Sequence, residues 1–320
     1  MQLETNIAKV VDEVSLKARY DTEVKKVLSD VQILAWILKY AVREFKDSSI
    51  KEIIACIEGE PEVAVCPVHS GHYIIPVEGI STEAAELASK KVTFDIRFKA
   101  AVPEFGPVGM IINVEAQNKF YESYDLVSRG VFYCARMLST QVRNEEAASE
   151  YNNLQKVYSI WICLDVPVNS EYTITGYRMK REDIYGCMDS RANQRYDLME
   201  LVMICLGSPE TVENGTELHK LLNVVLSDQM TPEEKKKVMR EEFEIVTSVE
   251  LEGGLAKMCN LSDHIEEKGM EKGIEKGYLQ AILSLVKDGL LTVEMAAERV
   301  NRTREEFQVL YKDYLKEQNN

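Results

Sequence analysis

Two carboxylates and an amide lie on neighbouring segments in which apolar and polar residues alternate. Asp95 lies in KVTFDIRF, and Glu115 and Gln117 lie in MIINVEAQ. Strict alternation predicts strands, and the turn-rich AAVPEFGPVG between the two segments predicts a hairpin. Asp95 and Glu115 are equally far from residue 105, so symmetrical pairing about that residue would bring the two carboxylates opposite one another.

Opposed carboxylates would repel each other, because directly paired residues have Cβ atoms only ~4.5–5.5 Å apart. A cation held by both groups removes that repulsion. Carboxylate oxygens are hard ligands that suit Mg²⁺, for which Mn²⁺ can substitute, and a bound Mg²⁺ otherwise keeps water or substrate phosphate. The pattern therefore indicates a metal site for phosphate chemistry. The solvated face of a purely structural hairpin explains the same polar residues and stays open at this point.

The composition is that of a globular chain. Of the 320 residues, 45% are apolar and 28% are charged, and the net charge is −15. This surplus of acid would repel a polyanion, so a nucleic-acid partner requires a local basic patch. There is no run of ~18 apolar residues, no secretory signal pattern in the first twenty residues, and no C-x-x-C among the seven cysteines. We expect a reduced, cytoplasmic protein without a membrane partner.

Helices and strands must position these side chains. The sequence predicts helices over residues 1–46, 121–143 and 197–206. It predicts strands within residues 53–77, in the hairpin, over residues 157–166 and in EYTITGYRM at residues 171–179. These elements sum to an α/β (α+β) core followed by further helices.

The chain divides by character near residue 230. We expect one domain over residues 1–230 and a charged helical region over residues 231–320. An E-K-G-x repeat runs between residues 267 and 277. Glu and Lys favour a helix there, but each Gly costs ~1 kcal/mol relative to Ala, so a weak hinged helix and a flexible linker both remain open. The segment that follows resembles a small helix-turn-helix, which could bind DNA or serve oligomerisation or docking.

The ordered set of motifs resembles the PD-(D/E)XK nuclease superfamily, and within it the Rpn/YhgA-like recombination-promoting nucleases, which are transposase-like. The motifs lie within about residues 20–166 and are DTEVKKVL, VTFDIRF, INVEAQNKF, LVSRGVFYCARM and YNNLQKVYSIWICLDVP. The repeat that ends in EKGYLQAILSLVKDGLLTVEMAAERV is similar to the usual C-terminal tail of these proteins. The resemblance implies a restriction-endonuclease-like core, in which helices flank a central mixed sheet, and a helical C-terminal tail.

The resemblance also implies roles for individual residues. Asp95 and Glu115 would be metal ligands, with the backbone carbonyl of Ala116 as a further ligand. Gln117 stands at the third position of the superfamily motif, where a lysine is usual. An amide can orient water by hydrogen bonds but brings no positive charge, which puts full activity in doubt. Glu44 could supply the superfamily's helical carboxylate, and a solvated position on a helix is the alternative.

Basic residues near the hairpin form a candidate DNA-binding rim. They are Lys90, Lys91, Arg97, Lys99 and Lys119. On the predicted helix that follows, Arg129, Tyr133 and Arg136 recur at i, i+4 and i+7 and therefore share one face. That face could contact phosphate or form surface ion pairs.

These observations lead to the prediction of a Mg²⁺-dependent DNA endonuclease that acts in recombination, mobile-element or defence biology. The alternative is a catalytically degenerate nuclease fold that serves as a DNA-binding or protein-interaction module. Either form could assemble as a homo-oligomer through the C-terminal helices. A separate C-x-x-H-x-x-H set, Cys66, His69 and His72, has zinc-ligand types but no evident fourth ligand, and ordinary turn and core residues explain it equally.

Overall fold

The computed structural model describes residues 6–63, 83–84, 92–93, 95–101, 109–120, 124–142, 151–186 and 195–317. These residues belong to two compact units. Residues 17–261 form the first unit, and residues 1–16 together with 262–320 form the second. Within the described residues, no helix is both long enough and apolar enough to cross a membrane.

Helices surround a sheet in the first unit and continue into the second. The helices are α1 (Asn6–Leu28), α2 (Val31–Ala41), α3 (Ile50–Cys56), α4 (Leu126–Ser139), α5 (Glu217–Leu226), α6 (Pro232–Phe243), α7 (Val249–Lys287), α8 (Val293–Arg299) and α9 (Arg304–Glu317). The strands are β1 (Ile57–Val63), β2 (Glu83–Ala84), β3 (Val92–Thr93), β4 (Ile96–Ala101), β5 (Gly109–Lys119), β6 (Lys156–Asp165), β7 (Thr173–Arg178) and β8 (Met199–Cys205).

Six of the strands form one mixed sheet, in the order β1-β4-β5-β6-β8-β7. Strands β1, β4 and β5 pair antiparallel, β5, β6 and β8 pair parallel, and β7 returns antiparallel along the edge of β8. The short strands β2 and β3 pair antiparallel with each other in a second, two-stranded sheet. A mixed sheet with flanking helices confirms the predicted α/β fold and its restriction-endonuclease-like core.

The hairpin pairs as its symmetry predicts. Strands β4 and β5 align from Ile96 opposite Val114 to Ala101 opposite Gly109, and every pair is centred on residue 105. The next position outward in this register brings residue 95 opposite residue 115. The alternation of side chains then separates the two faces of β5, because Ile112 and Val114 enter one apolar core and Ile111 enters the other.

Each face of the sheet has its own core. On one face, Ile112 and Ile160 share a cluster with Leu34 and Leu38 of α2 and with residues of α1, α5, α6 and the first part of α7. On the other face, α4 packs against β6 and β8. That second cluster includes Tyr133, Met137, Trp161 and Met203. Because β6 is covered on both sides, it is a continuous apolar strand, as the sequence predicts.

Strand β8 corrects the prediction of a helix over residues 197–206. Residues Met199–Cys205 pair in parallel register with β6, and all but the first are buried. A short apolar run of this kind has no clear period, so its spacing does not separate a buried strand from a buried helix. The open edge of β6 decides the outcome, because pairing there satisfies the backbone of both strands.

The predicted division at residue 230 remains our proposal for the functional organisation of the chain. In the first unit, apolar side chains of α6 and α7, such as Phe243 and Leu255, belong to the main core. The E-K-G-x repeat lies within α7, in agreement with the helical interpretation rather than the flexible linker. In the second unit, the end of α7 packs with α8 and α9 around Ile282, Ala296 and Phe307.

Candidate active site

Asp95 and Glu115 meet at the end of the hairpin. Asp95 directly precedes β4, and its backbone N–H donates to Oε1 of Glu115 at 2.9 Å. The backbone N–H of Ala116 donates in turn to Oδ2 of Asp95 at 3.3 Å. Each carboxylate is thus held by the backbone of the opposite strand. The structure brings together the two residues that the symmetry of the sequence paired.

Helix α1 adds two charged residues that sequence reasoning did not assign. The ammonium of Lys25 lies 2.9 Å from Oδ1 of Asp95 and 2.6 Å from Oδ2 of Asp21. The helix is fixed in this position because Val24, Val27 and neighbouring residues of α1 pack in the main core. The signal in the sequence was an Asp and a Lys four residues apart beside apolar positions, a spacing that puts both charges on one face.

Burial and neighbouring carboxylates shift the pKa values of the two carboxyl groups. Glu115 is only 4% exposed, and burial raises its pKa well above the ordinary value, with the charge of Asp95 raising it further. Burial also raises the pKa of Asp95, and the ammonium of Lys25 offsets part of that rise. Burial lowers the pKa of Lys25, but Asp95 and Asp21 outweigh it and raise that pKa overall. The single positive charge of Lys25 therefore does not compensate all three carboxyl groups, those of Asp21, Asp95 and Glu115.

These residues are of the ligand types that a divalent cation takes. Asp21, Asp95 and Glu115 offer hard carboxylate oxygens. The pKa values of the last two are raised chiefly by burial and also by a neighbouring carboxylate, and a cation would favour their charged forms. Across the described part of the chain, no group of three His, Cys, Asp or Glu side chains already stands in an arrangement that could hold a metal ion. Ala116 lies between the two motif positions of β5, where the resemblance implies a carbonyl ligand.

Gln117 shares the face of Glu115, two residues further along β5. In the register of the sheet it lies beside Cys163 of β6, which in turn lies beside Cys205 of β8. The third motif position is therefore at the end of the strand that also carries Glu115, although its side chain is an amide.

Arg129 lines the same side of the sheet from α4. Asp125 caps the first turn of that helix, accepting from the N–H of Ser128 at 2.8 Å. The guanidinium of Arg129 stacks within 5.4 Å of the ring centres of Tyr124, Tyr133 and Trp161. It also donates to the hydroxyl of Tyr133 at 2.8 Å. These aromatic rings hold a positive charge close enough to Glu115 to offset part of the rise in its pKa.

The other members of the predicted phosphate face are less accessible. Tyr133 and Arg136 are both buried, so only Arg129 presents a half-exposed cation among the three. Arg136 is two helical turns beyond Arg129, ~10 Å along the axis. Contact of these residues with phosphate stays a prediction, and the geometry favours Arg129.

Glu44 lies away from the paired carboxylates. It lies in a 3₁₀ turn rather than in the predicted helix, and it accepts from Nζ of Lys156 at 2.9 Å and from the hydroxyl of Tyr158 at 2.6 Å. Lys156 pairs with Met110, five residues before Glu115 on β5, which is ~16 Å at ~3.3 Å per residue. The structure therefore places Glu44 away from Asp95, and Asp21 of α1 shares Lys25 with Asp95 instead.

The expected basic rim is only partly described. Arg97 shares the face of Glu115 but is 5% exposed, and burial lowers its pKa to about 10. Lys99 is partly buried on β4. Lys90 and Lys91 lie outside the described residues, as do Cys66, His69 and His72, and the side chain of Lys119 is also outside them.

Comparison with known proteins agrees with the geometry. The model of one family, described as PD-(D/E)XK nuclease family transposase, matches residues 73–243, which is more than half of the chain. The matched segment contains the Asp95 and Glu115 pair, Gln117 and Arg129, but not Asp21 or Lys25. Searches of curated proteins and of solved structures found no match. On this evidence the chain belongs to the PD-(D/E)XK nuclease family of transposases.

Proposed function

We propose that this protein is a metal-dependent endonuclease that hydrolyses phosphodiester bonds of DNA. The family gives a nuclease-type function in general. The single observation that carries the finer proposal is the pair of carboxylates at the end of the hairpin, where buried Glu115 and half-buried Asp95 each accept a hydrogen bond from the backbone of the other segment. A structural sheet avoids opposed like charges, whereas a site that binds a divalent cation requires them.

In this proposal Asp95, Glu115 and the carbonyl of Ala116 hold Mg²⁺, or Mn²⁺ in its place. A bound ion of this kind polarises a phosphodiester and lowers the pKa of water. Gln117 orients the attacking water through its amide, and Asp21 adds a further carboxylate from α1. Arg129 attracts the DNA backbone at the rim. The backbone N–H groups of Asp95 and Ala116 keep both carboxylates in fixed orientations, so little reorganisation is required when substrate binds.

A second candidate function rests on Gln117. An amide in place of the usual lysine removes a positive charge from the reacting phosphate, and this favours a degenerate nuclease fold that binds DNA or a protein partner. Such a module would retain the carboxylate pair without turnover. Recombination, mobile-element movement and defence against phage are the biological settings that we propose for the active form.

Nicking of supercoiled plasmid tests the proposal. Purified protein is assayed with Mg²⁺, with Mn²⁺ and with EDTA, next to the isosteric variants Asp95→Asn and Glu115→Gln. The matched control is Glu60→Gln, which changes an exposed carboxylate of β1 in the same way. We expect metal-dependent nicking that both site variants lose and the control keeps. Equal inertness of all four proteins, with Mg²⁺ still raising the melting temperature of the wild type, would instead favour the degenerate module.

A further inference from the structure

A positive charge reaches the carboxylate pair from α1 rather than from β5. Lys25 is 8% exposed, and its Nζ lies 2.9 Å from Oδ1 of Asp95. The other oxygen of Asp95, Oδ2, accepts the N–H of Ala116, the residue between Glu115 and Gln117. Asp95 thus connects the ammonium directly to the part of β5 where the third motif position lies.

The surroundings of Lys25 distinguish it from an ordinary surface ion pair. Lys25 is buried on α1, next in sequence to Val24, and Val24 and Val27 pack in the main core. Removing an ammonium and two carboxylates from water is costly, and an apolar side chain of similar volume is often at least as stable. The next residue, Lys26, shows the contrast, because it is exposed and pairs with Glu23 of the same helix, at 2.8 Å.

We propose that Lys25 is a catalytic residue that supplies the positive charge missing at Gln117, so that the active site is divided between α1 and the hairpin. The inference rests on the proposed endonuclease function and deepens it. The ammonium acts as a fixed charge for the phosphate, held in place by Asp21 and Asp95. Gln117 keeps only the task of orienting water.

Hydrolysis of a phosphodiester requires positive charge close to the phosphate. The oxygen of the attacking water forms a bond to phosphorus while the bond from phosphorus to the leaving ester oxygen breaks. One proton of the water ends on the leaving oxygen, and the other ends on the new phosphate group until that group ionises. Negative charge grows on the phosphoryl oxygens in the transition state, and a preorganised ammonium stabilises it more than it stabilises the ground state.

The first test separates turnover from binding. Lys25→Met removes the charge and keeps the length of the stem, Lys25→Arg keeps the charge, and Lys26→Met is the matched control. We expect Lys25→Met to lower kcat for DNA cleavage by ~100-fold or more, the range for loss of one preorganised electrostatic group, with KM changed by less than about threefold. Lys25→Arg should retain at least about a tenth of the activity, and the control should match the wild type.

The second test needs no turnover. Without DNA, Lys25 competes with the cation for Asp95, so Lys25→Met should bind Mg²⁺ about five- to tenfold more tightly in a melting-temperature titration. Slower cleavage together with tighter metal binding is a combination that a merely structural role would not produce. In Lys25→Ala, added ethylammonium should restore cleavage in a saturable manner, and choline at the same concentration should not.

The outcomes separate the two proposals. Cleavage by Lys25→Met at the wild-type rate, or weaker Mg²⁺ binding together with a lack of rescue by ethylammonium, would overturn the role of Lys25 while leaving the nuclease intact. A wild type that is inert with every metal would overturn the proposed function, and the role of Lys25 with it. If Lys25→Met does not fold, Lys25→Gln carries the same expectations, because its amide is polar but uncharged.

Discussion

Two glutamates, buried Glu115 and half-buried Glu44, have pKa values that are shifted in opposite directions. Burial and the charge of Asp95 raise the pKa of Glu115. For Glu44 burial also acts upward, but hydrogen bonds from the hydroxyl of Tyr158 and from Lys156 outweigh it and lower the pKa. The carboxyl group of Glu115 has too little positive charge nearby to offset its burial. The carboxylate of Glu44 is stabilised by Tyr158 and Lys156. This difference supports our proposal that Glu115 belongs to the metal site and that Glu44 has a structural role.

Glu115→Gln should change how stability depends on pH. The folded protein holds the proton on Glu115 more tightly than the unfolded chain, so ionisation costs stability as pH rises from about 4.5, the ordinary value, toward the raised pKa. The neutral variant avoids that cost. In EDTA, its melting temperature should match the wild type near pH 4.5 and exceed it by at least about 2 °C at pH 8.

The exposed control Glu60→Gln should keep a constant difference from the wild type over the same range. Scanning calorimetry in EDTA at several pH values makes the measurement. A gap between Glu115→Gln and the wild type that stays flat, or that narrows as pH rises, contradicts the assignment of a raised pKa to Glu115.

Asp21→Asn and Glu44→Gln should have opposite consequences for activity and stability. Asp21 holds Lys25 beside Asp95, so its amide variant should lower the cleavage rate about tenfold or more with a small change in stability. Glu44→Gln should leave cleavage unchanged but destabilise the protein by ~1–3 kcal/mol, because Lys156 and Tyr158 lose a charged partner. Urea unfolding and plasmid nicking measure the two effects, and loss of nicking in Glu44→Gln would return Glu44 to the active site.

On the scale of the elements, α4 and β8 approach so closely at Gly130 of α4 that a larger side chain there would displace its neighbour. A Cβ atom placed on Gly130 would lie only 2.4 Å from Cδ1 of Leu201, which is buried in the second core. Gly130 directly follows Arg129. The close contact of α4 with β8 is therefore directly next to the residue that carries the guanidinium.

Gly130→Ala should destabilise the protein by ~1–3 kcal/mol because the added methyl group overpacks this contact. Combined with Leu201→Ala, it should cost less than the sum of the single changes, which a double-mutant cycle from urea unfolding measures. Gly253→Ala in α7 is the matched control, since no atom lies within 4 Å of the added Cβ and helix propensity favours Ala by ~1 kcal/mol. Additive effects at Gly130 and Leu201 would show that α4 adjusts without strain.

The elements also show how far the sequence predicts this fold. Strict alternation and a central turn predict the register of β4 and β5, and this register brings Asp95 and Glu115 together. Strand β8 was predicted as a helix because a short apolar run has no period of its own and its identity depends on the neighbouring strand β6. The sequence does not assign Asp21 and Lys25 to the site, because no local pattern in α1 indicates which end of the sheet this helix covers.

On the scale of the whole molecule, the residues of the proposed active site and both cores of the sheet belong to the unit of residues 17–261. Helices α8 and α9 belong to the other unit. The net charge of −15 means that productive contact with DNA depends on local cations such as Lys25 and Arg129. We propose that the helices of the second unit associate with those of a second copy of the chain.

Truncation after Leu261 should convert a homo-oligomer into a monomer and leave metal binding intact. The shortened chain retains all six strands of the sheet and both cores that cover it. Light scattering measures the mass, and the rise in melting temperature with Mg²⁺ reports the site. An unchanged subunit number after truncation would move the interface to the first unit.

The order of strands has a consequence for synthesis of the protein. Strand β8 is made after β7 but lies inside it, between β7 and β6. Until Cys205 has left the ribosome, the apolar strand β6 has one open edge, and the ~40 residues from Asp165 onward take several seconds to translate at ~5–20 residues per second. An open edge is a template for pairing with other chains. During that interval the nascent chain depends on dilution or on chaperones to stay unpaired, and the insertion of β8 ends the exposure.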